Sequence, residues 1–156
     1  MSRICYVEAD DTESFLRACA FDANTKRHLA GKKGQEALLE LEAALLALPE
    51  KRLEYSKFAI QHGDADDIGG VCALGAVALK RLMDKGMSRA QAIRKVREEG
   101  PGHTEGWDGI MNSAAYLGCK TNFAWAVIEQ NDEIGGPTSE KRYERVLEWV
   151  RKLIVR

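Results

Sequence analysis

The chain has 156 residues, 45% of them apolar and 30% charged, with a formal net charge of −1. That length fits one domain and buries about two thirds of the unfolded surface, so folding requires neither a metal nor a disulfide staple. Near-neutral charge argues against a general electrostatic affinity for nucleic acid or anionic membranes, and no apolar run approaches the ~20 residues of a membrane span.

The start, Met1-Ser2-Arg3-Ile4-Cys5, reaches acidic residues by Glu8 and lacks the apolar segment of a signal peptide, which points to the cytoplasm. Ile4-Cys5-Tyr6-Val7 could form a short strand, without an obvious partner. Asp11 and Thr12 are N-cap candidates for a helix carrying Phe15, Leu16, Cys19 and Ala23. Gly31-Lys32-Lys33-Gly34 interrupts the chain, and Leu38, Leu41, Leu45 and Leu48 then form one face of a second helix up to Pro49. A third helix is expected from about Lys51 to Gln61, stopped by Gly63.

The segment from Val71 to Met83 is apolar on nearly all sides, which predicts a central helix. Ser88-Arg89-Ala90-Gln91 is a capping-box pattern opening a helix that Gly100-Pro101-Gly102 stops. Thr104 is read as the cap of the next helix, with Trp107, Ile110, Met111 and Ala114 on its inner face and Gly118 at its end. A short helix begins at Thr121 or Asn122, and Asn131-Asp132-Glu133-Ile134-Gly135-Gly136-Pro137 reads as a loop. The last helix starts near Thr138 or Ser139 and carries Tyr143, Val146, Leu147, Val150 and Leu153. The expected fold is all-α: a single-domain bundle of roughly seven or eight helices, with N-terminal helices (1–62) packed on a core (63–156) around the central apolar helix. The last helix is expected to pack against that central helix, because these are the two strongest apolar surfaces.

Chemistry could sit in four places. Cys72 follows Gly69-Gly70 and should occupy the first turn of a helix, where the dipole favours a thiolate; His62 or His103 could act as its base. The alternative is that Cys72 fills a small space in a close contact allowed by Gly75 and Ala76. His62-Gly63-Asp64-Ala65-Asp66-Asp67 is an acidic loop in which Asp64, Asp66 and Asp67 are binding candidates. It is not a calcium loop, since position twelve counted from Asp64 is Gly75 rather than an acid. No cofactor or metal is assigned. His103 lies close to Glu105 and Asp108, and Asn131 with Asp132 forms the fourth candidate. Cys5, Cys19, Cys72 and Cys119 are scattered without a CxxC pair, as expected of reduced thiols. Lys26, Arg27, His28, Lys32 and Lys33 are the nearest approach to a basic patch, and Arg89, Arg94, Lys95 and Arg97 add a basic helix face.

Gly69-Gly70-Val71-Cys72-Ala73-Leu74-Gly75-Ala76 resembles the Gly-x-x-Cys-x-x-Gly-Ala element of a family of small uncharacterised bacterial and phage proteins, a domain of unknown function. In that family a later Trp-Asn-Asp precedes a Gly-containing loop, a Thr and a closing amphipathic helix. Asn131-Asp132, Gly135-Gly136, Thr138 and the helix through Leu153 fit, whereas Gln130 stands where the Trp would be, with Trp125 nearby. The likeness runs from about Gly63 to Arg156. It implies a phage or mobile-element origin and that Cys72 and Asn131-Asp132 belong to one structural unit. No segment matches a motif that implies one reaction. The leading expectation is a small helical binding or regulatory protein acting through a macromolecular partner, a protein in preference to nucleic acid. The alternative is a hydrolase or transferase using Cys72 or a metal in the His62–Asp67 loop.

Overall fold

The computed structural model describes residues 12–61, 69–134 and 136–156. Within them, seven α-helices follow one another: α1 (Thr12–Ala30), α2 (Lys32–Ala47), α3 (Ala73–Asp84), α4 (Arg89–Glu99), α5 (Gly106–Leu117), α6 (Thr121–Ile128) and α7 (Ser139–Leu153). Strands β1 (Ala59–Gln61) and β2 (Gly69–Val71) form an antiparallel pair with Ile60 opposite Gly70. The fold is the expected all-α class with this small hairpin added. Ile4–Val7 and Asp11 lie outside the described residues, as does the acidic segment from His62 to Asp67.

Local chemistry sets several of the helix ends. Ser88 and Gln91 form a reciprocal capping box at α4. Thr138 accepts a hydrogen bond from Lys141 N–H at the start of α7. Gly118 closes α5 in the left-handed region, at φ +64°. At the centre lies α3, every residue of which from Ala73 to Leu79 is buried. It packs against α2, α4, α5 and α6. An Arg81–Glu40 pair, with N···O distances of 2.6 and 2.8 Å, joins α3 to α2, and Arg81 also donates to Leu117 O.

The helix expected over Lys51–Gln61 does not form. Lys51 and Ser56 adopt φ of 50° and 59°, which no α-helix tolerates, and the segment instead runs extended into β1. Val71 belongs to β2, so the central helix starts two residues later than expected. The presumed loop at Asn131 is a π-helical turn, Glu129–Glu133, continuing α6. Thr104 does not cap α5: Glu105 is the N-cap residue, without a side-chain bond. The inner face of α5 is Ile110, Ser113, Ala114 and Leu117, which turns Trp107 and Met111 outward. Lastly, α7 packs chiefly on α2 and the π-turn rather than on α3. Glu42 on α2 receives both Arg151 and Arg156 there, at 2.9 and 3.0 Å.

Candidate functional site

The extended segment 51–58 has no ladder of its own, so its backbone groups must find partners elsewhere. They do so around Asn131 and Asp132. Asn131 is 2% exposed. Its Oδ1 accepts from Ala73 N–H at 3.0 Å, satisfying a first-turn donor of α3. Its Nδ2 donates to Glu54 O (2.9 Å) and to Asp132 Oδ1 (2.6 Å). Asp132 accepts from Ser56 N–H at 3.0 Å and from the Thr104 hydroxyl at 2.8 Å. Thr104 N–H in turn donates to Ser56 O, Glu54 N–H to Val71 O, and Cys72 N–H to Phe58 O. Two adjacent side chains thus tie segment 51–58, the start of α3 and the Pro101–Glu105 connection into one node. Asn131 and Asp132 thus bond backbone groups of segment 51–58 and of α3, which links this turn to the Cys72 element.

Cys72 sits inside the same node as the N-cap residue of α3, its Sγ accepting from Gly75 N–H at 3.3 Å. It is 2% exposed. Burial pushes its thiol up to about 12, the Asp132 carboxylate adding to the rise and the Gly75 N–H opposing it. Of the two readings of Cys72 this disfavours the thiolate: the helix terminus does act on the sulfur, but desolvation outweighs it. The close-contact reading fits the geometry, since a Cβ on Gly75 would stand 1.9 Å from Phe58 O. His103 is exposed on the surface connection, away from solvent-shielded surroundings of the kind that hold Cys72. His62, Asp64, Asp66 and Asp67 lie outside the described residues. Among the described residues no three His, Cys, Asp or Glu side chains converge on one point. Cys72 and Cys119 are free thiols.

Beside β1 is a cleft of about 420 Å³ lined by Lys57, Ala59, Ile60, Arg97, Pro101 and Gly102. It places one of the expected basic-face residues, Arg97, next to a second cation from segment 51–58.

The outward turn of α5 produces a feature that sequence reasoning missed. Trp107 is 51% exposed and Met111, one turn on, is 48% exposed. The Phe21 ring of α1 meets Trp107 edge-to-face at 5.8 Å and Trp125 of α6 at 5.3 Å. Below this cluster the α1–α6 seam continues through Asn122, which donates to the Thr25 hydroxyl at 2.9 Å, to His28. Burial lowers the His28 pKa, and the positive fields of Lys120 and Lys33 lower it further. The signal available in the sequence was phase: Ile110, Ala114 and Leu117 already define an inner stripe that leaves Trp107 and Met111 at its margin. No helix of the described residues is long and apolar enough to cross a membrane. Comparison with protein-family models, with curated proteins and with solved structures finds no match to this chain.

Proposed function

We propose that this protein is a binding or regulatory protein of the cytoplasm that acts through a protein partner docked on the outer face of α5. The observation that carries this reading is the exposed Trp107–Met111 pair. Trp and Met are enriched at interface centres, where a large side chain gains most from leaving water. Holding Trp107 against Phe21 also fixes its ring beforehand, so less rotamer freedom is lost on association. The polar residues that might have served chemistry favour the same reading, because Asn131, Asp132 and Cys72 use their hydrogen-bonding groups inside the fold.

The test is capture from cell lysate on the immobilised full chain, with Trp107→Ala alongside. A discrete protein retained by the parent and lost by Trp107→Ala, with the variant still folded by circular dichroism, is the expected result. Equal retention by both, or no retained protein at low or moderate salt, contradicts the reading.

A further inference from the structure

Several cations among the described residues are paired: Lys26 with Asp22, Arg52 with Glu140, Lys80 with Asp84, Arg89 with Glu50, Lys95 with Glu99 and Lys152 with Glu148. One exposed corner gathers four that are not. Arg27, Lys32, Lys33 and Lys120 are exposed, and among the described residues none of them has an ion pair. They come from the end of α1, the start of α2 and the start of α6. A tight α1–α2 junction brings Arg27, Lys32 and Lys33 close, since Gly31 N–H bonds back to Arg27 O and His28 O and a Cβ on Gly34 would meet His28 O at 2.0 Å, and Lys120 lies near enough to act on His28.

This arrangement is locally unfavourable. Lys32 and Lys33 occupy the first turn of α2, and Lys120 is the N-cap residue of α6; both helix starts lack an acidic residue and a side-chain cap. The positive end of a helix dipole disfavours cations, and like charges at one corner repel. Two helix starts, those of α2 and α6, thus break the local electrostatic rule at one corner, and an anionic ligand is what relieves it. The same seam leads directly to the aromatic cluster. Phe21, Thr25 and His28 share one face of α1, and seven residues of helix span roughly 10 Å. Phe21 touches Trp107 and Trp125, Thr25 is bonded to Asn122, and His28 lies in the fields of Lys120 and Lys33.

Resting on the reading that the protein works through a protein partner, we infer that the α1–α6 seam receives an acidic segment of that partner, with an apolar side chain anchored at Trp107 and carboxylates over Lys120, Lys32, Lys33 and Arg27. Charge complementarity selects the partner's chemistry. A protein segment is favoured over nucleic acid because the chain as a whole is not cationic, with a net charge of −1, and four cations neutralise too few phosphates for salt-resistant binding.

The experiment is a titration of the isotopically labelled full chain with three probes, followed by amide chemical shifts. The probes are a short peptide alternating Glu and Leu, its Lys-for-Glu counterpart, and single-stranded oligouridylate. The acidic peptide should perturb residues 27–33, Lys120 and Trp107, and should weaken as salt rises. Lys32→Glu/Lys33→Glu should weaken it about tenfold or more, and so, independently, should Lys120→Glu paired with Arg27→Glu. The inference is overturned if the acidic peptide leaves these residues unperturbed, if the reversals leave its affinity unchanged, or if oligouridylate binds the corner more tightly. A lysate partner that Trp107→Ala loses while both charge reversals retain it in full sinks this inference and leaves the wider reading standing.

Discussion

The Asn131–Asp132 node and the α1–α6 seam are both dense in polar and charged side chains, and they use them in opposite ways. In the node each named donor meets an acceptor: Ala73 N–H and Ser56 N–H reach Asn131 and Asp132, and the Asn131 amide reaches Glu54 O. In the seam four cations face water without a carboxylate, next to a half-exposed tryptophan. The difference separates what holds a fold from what is held ready for a ligand. Buried polar groups must be satisfied internally because water cannot reach them, whereas surface charges left in mutual repulsion retain the capacity to bind.

Substitutions that break the node should have the largest effect. Asn131→Ala leaves the Ala73 N–H buried without its acceptor and removes the donor to Glu54 O, and an orphaned buried group costs on the order of 1–3 kcal/mol, so chemical denaturation should show a loss of roughly 2–3 kcal/mol. Gly75→Ala should be comparably damaging, since its Cβ would strike Phe58 O and the backbone there is pinned by Cys72 N–H. Asp132→Ala removes the acceptor for Ser56 N–H and the Thr104 hydroxyl and should cost about 2 kcal/mol by the same assay, while partner binding by the folded fraction stays unchanged.

The seam should respond the other way. Trp107→Ala gives up an edge-to-face contact with Phe21, about 1 kcal/mol of stability, but should remove most partner retention.

The smallest effect is in pH. His28 has a folded pKa below its usual value, so the unfolded chain binds the proton more readily. Its contribution to stability is therefore intact above the unfolded value of about 6.5 and declines as pH falls below it. His28→Gln should flatten the parent's stability slope in that window, and identical slopes would contradict the placement of His28 among Lys33 and Lys120.

Helix-end signals carried over from sequence to structure because they are local. Ser88 with Gln91 and Thr138 with Lys141 N–H act within one turn, so residue identity alone determines them. The segment 51–61 could not be read this way. Leu53 and Phe58 are buried, but the segment's conformation depends on partners 70 or more residues away, among them Asp132 and Asn131. Nor does the strength of an apolar stripe name its neighbour: α7 and α3 both carry strong ones, yet α7 settles on α2, where Glu42 meets Arg151. At Cys72 the position at a helix start was legible and the burial was not, and burial dominates the thiol. The basic run from Lys26 to Lys33 was visible, but its union with Lys120 and the tryptophan needed the packing of α6 on α1.

The most direct measurement sets Asp132→Ala beside Lys32→Glu/Lys33→Glu and records, for each, the melting temperature and the affinity for the acidic Glu–Leu peptide. The account predicts opposite outcomes. Asp132→Ala melts lower and binds as the parent does; the charge reversal melts at or above the parent, because it removes two cations from a helix N-terminus, and binds about tenfold more weakly. An Asp132→Ala chain that melts like the parent yet loses binding, with the charge reversal binding normally, would make the node the functional site and contradict the account.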